Sequence, residues 1–158
     1  MSFTTILFLD FDGVLHPVGG VPMKMRLARL PLLEALLREP ALREVGIVIS
    51  STWRIAYTLA QLRSSFAPDM RERIVDRTPQ LDTSLAQHAR YAEISAWLAR
   101  HPEVRHWVAV DDDVRGFPAG AHGNAVFTRA DTGLTTRDIE VLRTRLIPAL
   151  AAGTAGTA

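Results

Sequence analysis

Phe8–Pro17, FLDFDGVLHP, sets two carboxylates, Asp10 and Asp12, directly behind the apolar run Thr5–Leu9 (TILFL). A continuous apolar run of this length fits a strand covered on both faces, as in parallel sheets. Ionised carboxylates are costly to bury and repel each other at short range. A pair at the end of a buried strand therefore calls for a cation, a proton or hydrogen bonds close by.

The same design recurs along the chain. Gly46–Ser50 (GIVIS) is a second apolar run that ends in polar residues, and His106–Val110 (HWVAV) is a third, followed at once by Asp111, Asp112 and Asp113. Shorter strands are expected at Arg73–Val75 and Ala125–Phe127. Between the runs lie helical patterns. Leu30, Leu33, Leu36 and Leu37 form one stripe, with Pro31 at a first-turn position, and Ile55, Leu59, Leu62 and Phe66 form another. Ala89–Leu98 places Ile94, Trp97 and Leu98 on one face. The last helix opens with Thr135 three residues before Asp138, a capping-box spacing, and carries Ile139, Leu142, Leu146, Ile147 and Leu150. This alternation predicts an α/β protein, a three-layer Rossmann-like sandwich around a mostly parallel sheet, with its site beyond the carboxyl ends of the strands. One domain is expected over residues 1–150, with 151–158 (AAGTAGTA) a disordered tail.

Composition narrows the function. The 158 residues, 47% of them hydrophobic, suit one domain with a substantial core. No apolar run reaches about eighteen residues, and the N-terminus has neither the basic flank nor the cleavage site of a signal peptide, so a soluble, cytoplasmic protein without membrane partners is expected. The absence of cysteine excludes disulfides, thiolate catalysis and cysteine-held zinc. Eighteen basic residues almost balance seventeen acidic ones, and the formal net charge of +1 supplies no global field for nucleic acid. A local basic patch stays open.

The strand ends together offer Asp10 and Asp12, then Ser50 and Ser51 with Arg54 just beyond, then Asp111, Asp112 and Asp113. Such a rim could hold a hard cation and an anion together, and an acid-rich, sulfur-free donor set suits Mg2+, which commonly shares its coordination with phosphate. Asp113 reads better as a turn or helix-start residue. Arg54 could pair with an acid or touch substrate, and His16 could contact substrate or be structural. Trp53, Trp97 and Trp107 read as core or edge aromatics, with Trp53 near enough to Ser51 to line an entrance. His88, His101, His106 and His122 have no metal-ligand spacing, and Gly19-Gly20 lacks the context of a nucleotide-binding fingerprint.

These residues resemble the haloacid dehalogenase-like (HAD) superfamily of phosphotransferases. Its first motif, DxDGxx(T/V), reads Asp10–His16 here, matching through DFDGVL with His16 in the final Thr/Val position; its second, a strand ending in Ser or Thr, is matched by IVISS, and its fourth, a strand ending in paired acids, by WVAVDD. The third motif, a basic residue on an upstream helix, is placed at Arg90 in HARYAEISAWL, with Arg129 or Lys24 as replacements. The set DGVLHP, SSTWR, RYAEI with WL, and VDDD near GLT more narrowly resembles HAD domains of RNA-repair proteins, over most of Ile6–Leu150.

The resemblance implies that Asp10 attacks phosphorus to form an aspartyl-phosphate, and that Asp12 protonates the leaving group and then activates water. It implies Mg2+ held by Asp10, the backbone carbonyl of Asp12, and Asp111 or Asp112. Ser50 or Ser51 would bind the phosphoryl oxygens, and Arg90 would stabilise developing charge. Cap insertions, which often set substrate choice in this superfamily, have only Gly13–Val45 and Trp53–Ala89 in which to fit. Those intervals are largely consumed by elements of the core, so no large cap domain is expected.

An open site admits large phosphorylated substrates, among them a polynucleotide end, a phosphoprotein or a phosphosugar polymer, without excluding small phosphoesters. The expected function is a Mg2+-dependent phosphomonoester hydrolase. The alternative is a catalytically silent phosphate- or partner-binding module on the same fold. A receiver domain of the response-regulator type fits poorly, because its acid pair should precede a separate phosphoacceptor strand.

Overall fold

Five strands lie side by side in the order β3-β2-β1-β4-β5, every neighbouring pair parallel. They are β1 (Thr5–Leu9), β2 (Val45–Ile49), β3 (Ile74–Arg77), β4 (His106–Asp111) and β5 (Ala125–Phe127). Among the described residues, five α-helices connect or follow them: α1 (Leu30–Leu37), α2 (Trp53–Ala56), α3 (Leu59–Ser64), α4 (Ala89–Leu98) and α5 (Thr136–Leu146). The computed structural model describes residues 2–20, 22, 26–82 and 84–147, so Lys24, Leu150 and the expected tail at 151–158 lie outside the described residues.

The apolar runs are continuous because the sheet is covered on both faces. Side chains of β1 alternate between two cores. Leu7 and Leu9 pack with Leu33 and Leu37 of α1 and with Leu142 and Leu146 of α5. Ile6 and Phe8 pack on the opposite face with Val48, Ala109 and, from α4, Ile94 and Trp97. The Phe8 ring meets Trp97 and Trp107 nearly edge-on, with centroids 5.5 and 5.9 Å away, a favourable arrangement for aromatic quadrupoles. This is the predicted α/β three-layer architecture, with a sheet that is wholly parallel.

Two local features correct the sequence reading. The single helix expected through Ile55, Leu59, Leu62 and Phe66 is broken into α2 and α3. Thr58 opens α3 with a reciprocal capping box to Gln61, and this local bonding overrides the apolar periodicity. Ile55 is consequently 57% exposed and off the core. The third strand begins at Ile74 rather than Arg73 and joins β2 through a register shift near Ile47 and Val48.

Gly13–Val45 holds α1 and a short 3-10 turn. Trp53–Ala89 holds α2, α3, another 3-10 turn and β3, and no separate cap domain occurs among the described residues. No helix among them is long and apolar enough to cross a membrane.

Two substitutions calibrate this architecture in urea denaturation. Phe8→Ala, which empties a wholly buried site between two indoles, is expected to cost about 3–5 kcal/mol. Thr135→Ala, which removes the capping box of α5, is expected to cost about 1 kcal/mol.

Candidate active site

The hydrogen-bond ladder continues past the strands and fixes the residues that follow them. The Asp10 amide donates to the Val110 carbonyl (3.1 Å), the Ser50 amide to Leu9 (2.9 Å), the Thr78 amide to Ile49 (2.9 Å) and the Thr128 amide to Asp111 (3.0 Å). All the strand-end residues thus stand on one carboxyl edge. The β1–β4 register pairs Leu9 with Val110, so Asp10 and Asp111 become neighbours one step further on.

Among the described residues, Asp10, Asp111 and Asp112 each bring one carboxylate oxygen within 4.8 Å of the others. Asp10 and Asp111 are almost fully buried. Burial, reinforced by the charge of Asp111, pushes the Asp10 carboxyl up to about 8, although Arg90 and the Phe11 amide, which donates to Oδ1 at 2.8 Å, oppose the shift. Burial likewise raises Asp111 to about 6, against the pull of Arg90 and a 2.9 Å bond from the Asp113 amide. Gly13 makes the crowding feasible. Its φ of +74° suits the tight turn, and a Cβ there would collide with the Asp112 carboxylate.

The Asp12 carboxylate is not part of this cluster. Its Oδ1 meets His16 Nε2 at 2.8 Å, and the Trp53 indole N–H lies 3.1 Å from both of its oxygens. His16 is buried, and its Nδ1 accepts the Leu27 amide at 3.4 Å, which leaves Nε2 as the protonated nitrogen facing Asp12. Leu27 adopts φ of +60°, an uncommon conformation for a leucine that aims its amide at the imidazole. His16, one of the open cases in the sequence, is therefore a partner of Asp12.

Arg90, at the start of α4, donates from Nε to Asp111 Oδ2 at 3.1 Å and from Nη1 to the Ser50 carbonyl. Arg129 pairs with exposed Asp131 on the surface instead. Arg54 is buried. It binds Glu93 at 2.6 Å and the backbone carbonyls of Thr78 (3.1 Å) and Ser51 (2.9 Å), so it has the acid partner the sequence left open, and it also lines the basin described below. Glu93 also lies 3.4 Å from Arg90, so one carboxylate steadies both guanidinium groups. Ser50 and Ser51 are buried behind the rim, and the Ser51 Oγ accepts the Trp53 amide at 3.2 Å. Asp113 caps the Val114–Gly116 turn by accepting the Arg115 amide, as a turn residue should.

An open basin of about 670 Å³ spans this edge, lined among others by Asp10, Asp12, Thr52, Arg90, Asp111 and Asp112. Arg54 and Arg90 pair with Glu93 and Asp111. Asp10, Asp111 and Asp112 together form an all-oxygen donor set, which suits Mg2+. The residues present fit the ion.

Sequence reasoning missed Glu93, Thr52 and the partners of Asp12. Glu93 was within reach, three residues after Arg90 on the same helix, the spacing of a facing ion pair. Trp53 and Asp12 are 41 positions apart, and only the β1–β2 pairing brings them together.

A strictly parallel sheet with carboxylates converging on its carboxyl edge, next to a partly buried arginine, defines a HAD-type domain with a phosphatase-like site. The family model for the HAD domain in Swiss Army Knife RNA repair proteins matches residues 6–139, and the chain belongs to that family. No curated protein and no solved structure matches the sequence.

In chelator, Asp10→Asn should stabilise the protein at pH 7–8 by about 1–3 kcal/mol, because it removes a buried carboxyl that must hold a proton the unfolded chain has released. The folded carboxyl keeps its proton to about pH 8, against 3.8 when unperturbed, so wild type loses stability relative to the variant as pH rises through that window. Melting temperatures of both proteins from pH 4 to 9 give the check. Gly13→Ala should displace Asp112 and weaken any Mg2+-induced rise in melting temperature.

Proposed function

We propose that the chain is a Mg2+-dependent phosphomonoester hydrolase working through an aspartyl-phosphate on Asp10. The observation that carries this reading is the separation of two kinds of carboxylate. Asp10, Asp111 and Asp112 converge in the basin, while Asp12 is turned aside and held by two N–H donors.

An Asp10 oxygen attacks phosphorus, the bond from phosphorus to the ester oxygen breaks, and that oxygen takes a proton from the Asp12 carboxyl. Water then gives a proton to Asp12 while its oxygen attacks phosphorus, and the bond to Asp10 breaks, restoring the carboxylate. Asp10, the Asp12 main-chain carbonyl, and Asp111 or Asp112 would hold Mg2+. The ion supplies positive charge that offsets repulsion between nucleophile and phosphate oxygens. Arg90 contributes a fixed positive charge beside the nucleophile. Ser51, whose oxygen already accepts the Trp53 amide, retains its own O–H for a phosphoryl oxygen, and Ser50 serves through the carbonyl that holds Arg90.

His16 and Trp53 are positioning residues that hold the Asp12 carboxyl at the edge of the basin, where a leaving oxygen can reach it. The open basin has room for the end of a large molecule, and the family's description in RNA repair proteins supports a phosphorylated polynucleotide end as the leading candidate.

The test is phosphate release from 3′- and 5′-phosphorylated oligonucleotides and an aryl phosphate, with Mg2+ or with chelator. Mg2+-dependent release that falls at least about 100-fold in Asp10→Asn and Asp12→Asn is expected. Retained turnover in Asp10→Asn overturns the nucleophile, and phosphate binding without turnover on any substrate favours the silent module. His16→Ala should lower kcat by about 10-fold or more. His16→Gln, which keeps an N–H donor near the same place, should recover much of that loss.

A further inference from the structure

A second cavity, of about 450 Å³, adjoins the acid basin on the far side of Asp12. Its lining includes Asp12, His16, Val18, Arg26, Trp53 and Tyr57, and it shares Asp12 and Thr52 with the basin. Asp12 therefore stands at the junction of two spaces with different linings. On one side lie carboxylates and Arg90, on the other aromatic rings.

The rings are held in place. The Trp53 indole is fixed through its N–H on Asp12, and Phe11 packs against it at a centroid distance of 5.2 Å and an interplanar angle of 64°. Tyr57 lies 5.6 Å from Trp53 at 40°, and His16 lies 5.7 Å from it at 44°. Tyr57 is nevertheless 41% exposed and Val18 48% exposed. A partly uncovered aromatic surface, already ordered by its neighbours, is prepared to stack a flat ring at little entropic cost.

We infer that this cavity is the leaving-group subsite and that it takes a nucleoside, so that the substrate is a phosphorylated nucleoside, free or at the end of a strand. The inference rests on the hydrolase reading for its direction. Asp12 must reach the ester oxygen, so the alcohol extends from Asp12 away from the acid cluster, into this cavity. The Trp53 N–H bonds Asp12, and the partly exposed Tyr57 packs against Trp53. A sugar fits beside Asp12 and Thr52, with its base against Trp53 and Tyr57. A phosphotyrosine ring carries the ester oxygen itself and would stop short of Tyr57. Arg26 adds a guanidinium to the lining, suited to a base face or a neighbouring phosphate.

The test is calorimetric binding to Asp10→Asn protein in Mg2+, so that the readout does not depend on turnover. Adenosine 3′- and 5′-monophosphate, ribose 5-phosphate, a 3′-phosphorylated trinucleotide and a phosphotyrosine peptide are the probes. At least one mononucleotide is expected to bind about 10-fold more tightly than ribose 5-phosphate, and a further Tyr57→Ala change should collapse that ratio. Tighter binding of the trinucleotide than of the mononucleotide assigns the strand end, and equal binding assigns the free nucleotide. Equal affinities for nucleotide and ribose 5-phosphate, a ratio that survives Tyr57→Ala, or preference for the phosphotyrosine peptide overturns the inference.

Wild-type hydrolysis separates the two readings. Equal kcat/KM on nucleotide and ribose 5-phosphate overturns the nucleoside subsite and leaves the hydrolase standing. Base-dependent binding without hydrolysis of any probe overturns the hydrolase and supports a nucleoside site.

Discussion

Asp10 and Asp111 are forced together by the parallel pairing of β1 with β4, and much of the carboxyl edge is arranged around their mutual repulsion. The backbone cannot relax them apart, because both belong to the central ladder. Relief comes from outside that ladder: amides of Phe11 and Asp113, and the guanidinium of Arg90. Arg90 is steadied in turn by Glu93, and Glu93 by Arg54, which grips the carbonyls at the ends of β2 and β3. The electrostatic strain of the site is thus spread through a line of ion pairs behind it. Such an array favours a cation over an isolated buried acid pair, since its remaining negative charge is already oriented before an ion arrives.

The architecture was legible because a strand covered on both faces must be apolar throughout, and Thr5–Leu9, Gly46–Ile49 and His106–Val110 have little other use in a chain of this size. The acids were legible for the complementary reason. Polar residues directly behind such strands fall on the carboxyl edge whatever the order of the strands. The division of α2 from α3 was written in the sequence too, as Thr58 and Gln61 at capping-box spacing, but the apolar stripe through Ile55 and Phe66 spoke more loudly.

The environment of Asp12 was not legible. His16, Leu27 and Trp53 meet there through a tight turn, a strained backbone position and the neighbouring strand, and none of the three advertises the others. Arg54 and Arg90 show the same limit from another side. Each is an arginine near a motif, and only the position of Glu93 and the carbonyls shows that Arg54 is held by Glu93 and main-chain oxygens while Arg90 reaches Asp111.

Because the ladder runs on beyond the strands, the amides of Asp10 and Ser50 are members of the central sheet rather than of loops hung upon it. Amides of this kind exchange with solvent only when the sheet itself opens. The reactive edge is therefore tied to the opening of the sheet, while Tyr57 and Val18 stand on exposed segments outside it. The two cavities, although they share Asp12, are thus built on different kinds of backbone, one on the sheet and the other on the segments around it.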